Sequence, residues 1–358
     1  MIVWVTGGAG FIGSAFLLHS LQRFPERRFV NVDKLTYAAN LASLEGIAEG
    51  PRYRLARVDI ADAGALETLA KEEPPDVIVH LAAESHVDRS IHGPREFLRT
   101  NVEGTFNLLE VARRHWAGRT DVVFHHVSTD EVYGSLGAEG QFVETSRYDP
   151  SSPYSATKAA SDHLVRAWAR TYRLPVKLTN CSNNYGPRQF PEKLIPIVIG
   201  NLLARRPLPI YGKGENVRDW LFVDDHVEAI WAVIERGEVG ETYNVGGNQE
   251  QKNIEYVNAL CLIDARESGA SEDELLALRT FVTDRPGHDL RYAIDATKIE
   301  RECGWRPRET FATGLEKTVR WYLANQAWVK AVETGEYRRW MDTNYGARGR
   351  PEQSGEAT

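Results

Sequence analysis

The chain has 358 residues, a formal charge of -7 and three cysteines, which is enough length to bury a substantial core in one large domain or two. Its basic residues fall in short, scattered pairs such as Arg27-Arg28, Arg113-Arg114 and Arg205-Arg206, so the stripe that nucleic acid requires is excluded. Cys181, Cys261 and Cys303 form no CxxC pair, and no apolar run is long enough for a signal peptide or a membrane span. We therefore expect a cytoplasmic protein without disulfides or a metal site.

Ile2 to Thr6 is a short apolar run and predicts a buried strand. It leads into Gly7-Gly8-Ala9-Gly10-Phe11-Ile12-Gly13 and an apolar helix from about Ser14 to Arg23. The glycines satisfy G-x-G-x-x-G through Gly8, Gly10 and Gly13, or the looser spacing through Gly7, Gly10 and Gly13. Either pattern lets backbone approach a pyrophosphate at the helix amino end. A second strand, Phe29 to Val32, ends in Asp33, twenty residues after Gly13. A carboxylate there bonds the adenosine ribose hydroxyls and repels a 2′-phosphate, which favours NAD over NADP, with Lys34 beside it as the opposing feature.

Two further strands follow, Tyr53 to Val58 before Asp59-Ile60, and Val77 to Leu81 before Ala82-Ala83-Glu84-Ser85-His86. The small Ala82-Ala83 pair leaves room for a dinucleotide. Arg95 to His115 carries apolar residues at helical spacing and predicts one long helix.

Val122 to Val127 predicts a buried strand ending at Ser128, so that Thr129, Asp130 and Glu131 lie at the carboxyl edge where open parallel sheets bind ligands. Adjacent carboxylates point to opposite faces of a regular strand, so only a turn lets Asp130 and Glu131 share one site. There they would split into an acid and a base, as an elimination needs. Ser151, Ser152 and Pro153 predict a helix start, with the helix running toward Tyr172. Tyr154 and Lys158 stack one turn apart on it, where the ammonium is expected to lower the phenol pKa and make Tyr154 a general base. By itself, Tyr-x-x-x-Lys is a common pair.

Alternating strands and helices up to Asn180 define an α/β chain with a doubly wound parallel sheet of Rossmann type and a second, smaller substrate-binding domain. We expect residues 1–182 to form the NAD-binding domain, with the chain returning to it around 217–246. Residues 183–216 and 247–340 form the substrate domain, and 346–358 a disordered tail. The turn-rich loops after Asn180 carry Lys193, Arg218 and Arg285, cations able to clamp a diphosphate.

The motifs TGGAGFIGS from Thr6, DKLTYA from Asp33, LAAESHVDRSI from Leu81, STDEVYG from Ser128, YSATKA from Tyr154, NNYGPRQFPEKLIP from Asn183, GKGENVRDWLFVDD from Gly212 and DRPGHDLRYAID from Asp284 together carry a resemblance. The chain resembles the dTDP-glucose 4,6-dehydratases among the extended short-chain dehydrogenase/reductases, over nearly its whole length to about Leu323. The resemblance implies that Tyr154 takes the C4 hydroxyl proton while hydride passes to NAD, with Lys158 holding the nicotinamide ribose and Thr129 bonding the C4 oxygen. Glu131 removes the C5 proton and Asp130 protonates the departing C6 hydroxyl. NAD is held tightly and regenerated in each cycle.

The same resemblance implies cofactor contacts at Gly7, Gly10, Phe11, Ile12, Gly13, Asp33, Lys34, Thr36, Asp59, Ile60, Leu81, Ala83, Thr100 and Asn184, together with Tyr154 and Lys158. It implies substrate contacts at Ser85, Thr129, Asn183, Glu192, Lys193, Arg218 and Asn253, with Arg285 and His288 nearby. It also implies a homodimer. Ala39 and Arg188 depart from the family pattern, and Arg188 is expected in the substrate-facing loop. Competing readings are a nucleotide-sugar 4-epimerase or decarboxylase, which would use Tyr154 and Lys158 without both acids, and a non-catalytic dinucleotide-sensing protein.

Overall fold

The computed structural model describes residues 1–284 and 288–332; Arg285 and the tail at 346–358 lie outside the described residues. Twelve strands are described: β1 (Ile2–Thr6), β2 (Arg28–Val32), β3 (Tyr53–Ala56), β4 (Val77–His80), β5 (Val123–Thr129), β6 (Val176–Cys181), β7 (Asn183–Tyr185), β8 (Leu208–Tyr211), β9 (Val217–Phe222), β10 (Thr242–Val245), β11 (Glu250–Lys252) and β12 (Arg279–Val282). Seven form one sheet in the order β10-β6-β5-β4-β1-β2-β3, every pairing parallel. Strand order reverses between β1 and β4, which opens a crevice at their carboxyl ends. Strands buried on both faces need continuous apolar runs, and Ile2–Val5 of β1 and Val77–Val79 of β4 are such runs.

β11-β9-β7 and β12-β8 form two smaller sheets. They share an apolar core with the helices Leu194–Leu203, Asn253–Ser268 and Phe311–Ala324, centred on Tyr185, Trp220, Tyr256 and Tyr322. β9 pairs with β7 and β11, and the chain re-enters the large sheet as β10 beside β6. The helix Val223–Arg236 then packs Val227, Ile230 and Trp231 against Val3, Phe16 and Phe29.

The helix expected over 95–115 is broken into Pro94–Phe97, a π turn at Leu98–Glu103, and Gly104–His115. Gly104 sits at the junction, where a Cβ would meet Ile60 Cδ1 at 2.5 Å. Within the π turn Asn101 is buried and ties two segments together. Its amide bonds the backbone of Glu84 in both directions (2.9 and 3.0 Å) and donates to Thr157 Oγ1 at 2.9 Å. Wide turns of this kind recur at functional sites.

Candidate active site

A cleft of about 410 Å³ runs along the carboxyl edge of the large sheet and under the smaller lobe. At one end Gly7, Gly10 and Gly13 line it, so the looser glycine spacing describes the loop. Gly7 has φ +71°, and a Cβ on it would lie 2.8 Å from Ala82 Cα; a Cβ on Gly13 would overlap the Gly7 carbonyl oxygen. Backbone therefore meets backbone where the Phe11–Arg23 helix begins, leaving its free N–H groups for a pyrophosphate. Gly8 faces away and packs against Asn31.

Asp33 is held at the end of β2 by Ala9 N–H (3.0 Å) and Leu35 N–H (2.8 Å), and burial raises its pKa. Both of its oxygens keep further acceptor capacity. Asp33 and Lys34 both line the cleft, with the Lys34 ammonium held by Thr100 Oγ1 (3.3 Å) and Asp59 (3.8 Å). Phe11, Ile12, Thr36, Ala39, Ile60, Leu81, Ala83, Thr100 and Asn184 line the cleft as well. Asp59 does not; it pairs with Lys34 and Arg99 behind the wall. A glycine cradle that a Cβ would fill and an acid at the second strand fit NAD.

The chemistry sits at the end of β5. A turn at Asp130–Tyr133 follows the strand directly, which provides the bend that two neighbouring acids require. Thr129 caps it, its hydroxyl accepting from Glu131 N–H at 3.2 Å and bonding the Tyr154 phenol. The helix Pro153–Tyr172 begins with a reciprocal cap between Ser152 and Ser155 and a first-turn proline, and this sets the register of Tyr154 and Lys158. Glu131, Thr129, Tyr154 and Lys158 all line the cleft.

Asp130 lies just behind them, 1% exposed. Its Oδ1 accepts from the Thr129 hydroxyl at 3.3 Å, and its Oδ2 has no partner among the described residues. Burial, then the Glu131 charge, holds its pKa well above the usual carboxylate range, which favours the protonated form. An acid and a base thus arise from adjacent residues.

The lowering expected from Lys158 is outweighed among the chain's own groups. Burial, then Glu131, pushes the Tyr154 phenol well above its ordinary value. The Lys158 ammonium instead donates to the Val127 carbonyl at 2.9 Å, and burial lowers its own pKa.

Among the residues expected at the substrate, Ser85, Asn183, Glu192, Lys193, Arg218, Asn253 and His288 line the far end of the cleft. Arg218 sits over the Tyr292 ring at 4.3 Å, and its Nη2 donates to the Asp289 carbonyl at 2.9 Å. Glu192 is buried and accepts from Arg89 Nε (3.2 Å) and Tyr37 (3.4 Å); burial raises its pKa to about 7. Asn183 and Asn253 each keep a buried carbonyl oxygen without a partner among the described residues. Arg188 corrects the expectation. It does not line the cleft, because its guanidinium stacks over Trp321 at 5.3 Å. Sequence reading missed Trp220, Tyr211 and Phe190, which also line the far end; their only signal, aromatic side chains in turn-rich segments, equally fits a core.

The fold and site define a Rossmann-type dehydrogenase/reductase with an added pair of acids. Residues 4–318 match the family described as GDP-mannose 4,6 dehydratase. The chain is 53% identical over 363 residues to the dTDP-glucose 4,6-dehydratase of Shigella flexneri, covering 97% of this chain and 100% of the relative. It is 56% identical over 345 residues to that of Neisseria meningitidis serogroup B, covering 94% and 97%. A dTDP-glucose 4,6-dehydratase from Streptomyces venezuelae, solved with NAD bound, superposes with a TM-score of 0.85 at 47% identity, covering 93% of this chain and all of that one. The chain belongs to the dTDP-glucose 4,6-dehydratase family.

Proposed function

We propose that this chain is an NAD-dependent lyase that converts dTDP-glucose to dTDP-4-dehydro-6-deoxyglucose and water. The observation that carries the reading is a buried Asp130 and a cleft-facing Glu131 on one turn, beside Tyr154 and Lys158. An epimerase or decarboxylase needs the tyrosine and lysine alone.

Gly7, Gly10 and Gly13 receive the NAD pyrophosphate, Asp33 the adenosine ribose and Lys158 the nicotinamide ribose. Bound NAD supplies a hydride acceptor for C4 that gives the same hydride back at C6, and a positive ring that offsets the carboxylate charge near Tyr154. Tyr154 removes the C4 hydroxyl proton, with Thr129 bonding the same oxygen. The resulting ketone acidifies C5, whose proton Glu131 takes. Asp130 gives its proton to the C6 hydroxyl, which leaves as water, and once hydride has returned to C6 Glu131 gives its proton back to C5. Arg218 and Lys193 hold the diphosphate, and Glu192, Asn183 and Asn253 offer acceptors to the sugar and nucleoside.

Incubation of the purified protein with dTDP-, UDP- and GDP-glucose tests the reading. We expect a product one water lighter from dTDP-glucose, with the chromophore that 4-keto-6-deoxy sugars develop in alkali. An epimer of unchanged mass, or release of one reduced nicotinamide per sugar, would refute it.

We further propose a cytoplasmic homodimer. No helix among the described residues is long and apolar enough to cross a membrane. Leu98, Phe106 and Tyr172 are exposed on the neighbouring segments 98–115 and 153–172, an apolar face suited to a second copy. Sedimentation should give twice the chain mass, and Phe106→Glu should halve it.

A further inference from the structure

Behind the cleft lies a polar cluster that the mechanism above does not use. Its centre is Asp162, one turn beyond Lys158 on the Pro153–Tyr172 helix and fully buried. Its Oδ1 accepts from His126 Nε2 at 3.1 Å, and its Oδ2 accepts from Ser128 Oγ at 2.9 Å and from the Tyr148 hydroxyl at 2.9 Å. The Tyr148 oxygen in turn receives Arg166 Nη2 (2.8 Å) and Asn180 Nδ2 (3.2 Å).

These bonds fall on consecutive residues of β5. Lys158 holds the Val127 carbonyl, Asp162 holds the Ser128 hydroxyl, and Asn180 Nδ2 reaches the Thr129 carbonyl at 3.3 Å. The next two residues are Asp130 and Glu131. Three donors on two oxygens suit an acceptor-only carboxylate, which sets a charge at this depth. Burying a carboxylate is expensive unless a cation shares the interior.

We propose that Asp162 is a positioning residue: the buried counter-charge that keeps Lys158 an ammonium, and the clamp that fixes the end of β5 under the catalytic acids. The groups around it agree. His126 is pushed down to about 4 by burial and Lys158, and His80 lies well below its ordinary value, so both are neutral at working pH. Cys181, facing Lys158 from β6, is pushed up to about 12 and is an uncharged thiol. The cations acting on the cluster are thus Lys158 and Arg166, and Arg166 has Tyr148 and the Thr242 hydroxyl as its own partners. Burial acts to raise the Asp162 pKa, yet it is lowered, first by His126 at 3.1 Å and then by the positive charge of Lys158.

The test is a double-mutant cycle on the full chain, with Asp162→Asn, Lys158→Met and the pair together, read by thermal midpoint and so independent of activity. Each single change leaves one buried charge without its partner, so the double variant should lose much less than the sum of the singles. Additive losses would overturn the proposal. If Asp162→Asn does not fold, the double variant decides: a folded double supports the pairing and an unfolded one refutes it.

Where Asp162→Asn folds, its kcat against pH supplies the second reading. Removing the carboxylate lets burial lower the Lys158 pKa further, so the alkaline limb should move down by about one pH unit, a tenfold loss of rate on that limb. Tyr148→Phe removes one hydrogen bond and keeps the charge, so its limb should stay where the wild type has it. Equal limbs in Asp162→Asn and wild type would show a purely structural role and defeat the proposal.

Discussion

Replacing Asp130 with asparagine is the sharpest perturbation of the proposed elimination. The amide fills the same volume, so no cavity opens, and burial favours the protonated, uncharged form of the group it replaces. What disappears is the transferable proton at a site 1% exposed, where water has little access to serve in its place. General acids contribute about 10²–10⁴-fold, and burial places Asp130 toward the upper end, a loss of about 4 to 5 kcal/mol of barrier lowering at about 1.4 kcal/mol per decade. C4 oxidation and C5 proton removal need only Tyr154 and Glu131, so the variant should still exchange the C5 hydrogen with solvent. In deuterium oxide, recovered dTDP-glucose should carry deuterium at C5 while almost no dehydrated product forms. Stability should move the other way. A carboxyl with a raised folded pKa favours folding most below its ordinary value of 3.8, and that contribution is lost as pH rises toward the folded pKa. Asparagine escapes the loss, so near neutrality its thermal midpoint should equal or exceed that of the wild type. Dehydration at the wild-type rate, or a fall in midpoint that grows with pH, would refute a neutral Asp130 acting as the acid.

Glu131→Gln should stop the cycle one step earlier: the near-ultraviolet band of reduced nicotinamide should build up on the enzyme, with no deuterium at C5, and normal turnover would remove Glu131 from its role. Asp33→Ala should weaken NAD more than NADP in equilibrium titrations, because two charge-assisted hydrogen bonds to the ribose go and the repulsion of a 2′-phosphate goes with them. Glu192 has its pKa raised to about 7 from 4.5, so its contribution to stability is present below 4.5 and is lost as pH rises through 7. Across that window the wild-type midpoint should therefore decline relative to Glu192→Gln, and parallel curves would contradict a buried acid there.

Much of the fold could be read from the chain because its signals are local. β1, the glycine loop and the helix behind it occupy one consecutive stretch, Ile2 to Arg23. Asp33 follows at the end of the next strand, and the structure finds all of these in place. The Pro153–Tyr172 helix was equally readable, since its cap, first-turn proline and Tyr154/Lys158 spacing lie within one segment. The break at 98–103 was hidden, because a π turn keeps helical composition and only the close approach of Gly104 to Ile60 gives a reason for it. Arg188 was misplaced because nothing near it in sequence announces Trp321, far along the chain. Glu192 meets Tyr37 and Arg89 across separations of 155 and 103 residues, beyond any local pattern.

The instructive failure is the tyrosine. Spacing placed the Lys158 ammonium one turn from the Tyr154 phenol, and from that alone a lowered pKa follows. Proximity is only half of the electrostatics, because both groups are buried, the Glu131 carboxylate acts on the phenol, and the ammonium is turned to the Val127 carbonyl. Burial and Glu131 therefore favour the protonated phenol, and a positive nicotinamide ring bound beside it would favour release, which would tie deprotonation of the phenol to the presence of the hydride acceptor. A sugar bound in a cleft without NAD meets a neutral phenol, and the acids at the end of β5 have no acidified C5 to act on. The same coupling gives Asp162 its place, since an ammonium that has lost its buried counter-charge would leave Tyr154 with still less positive charge beside it.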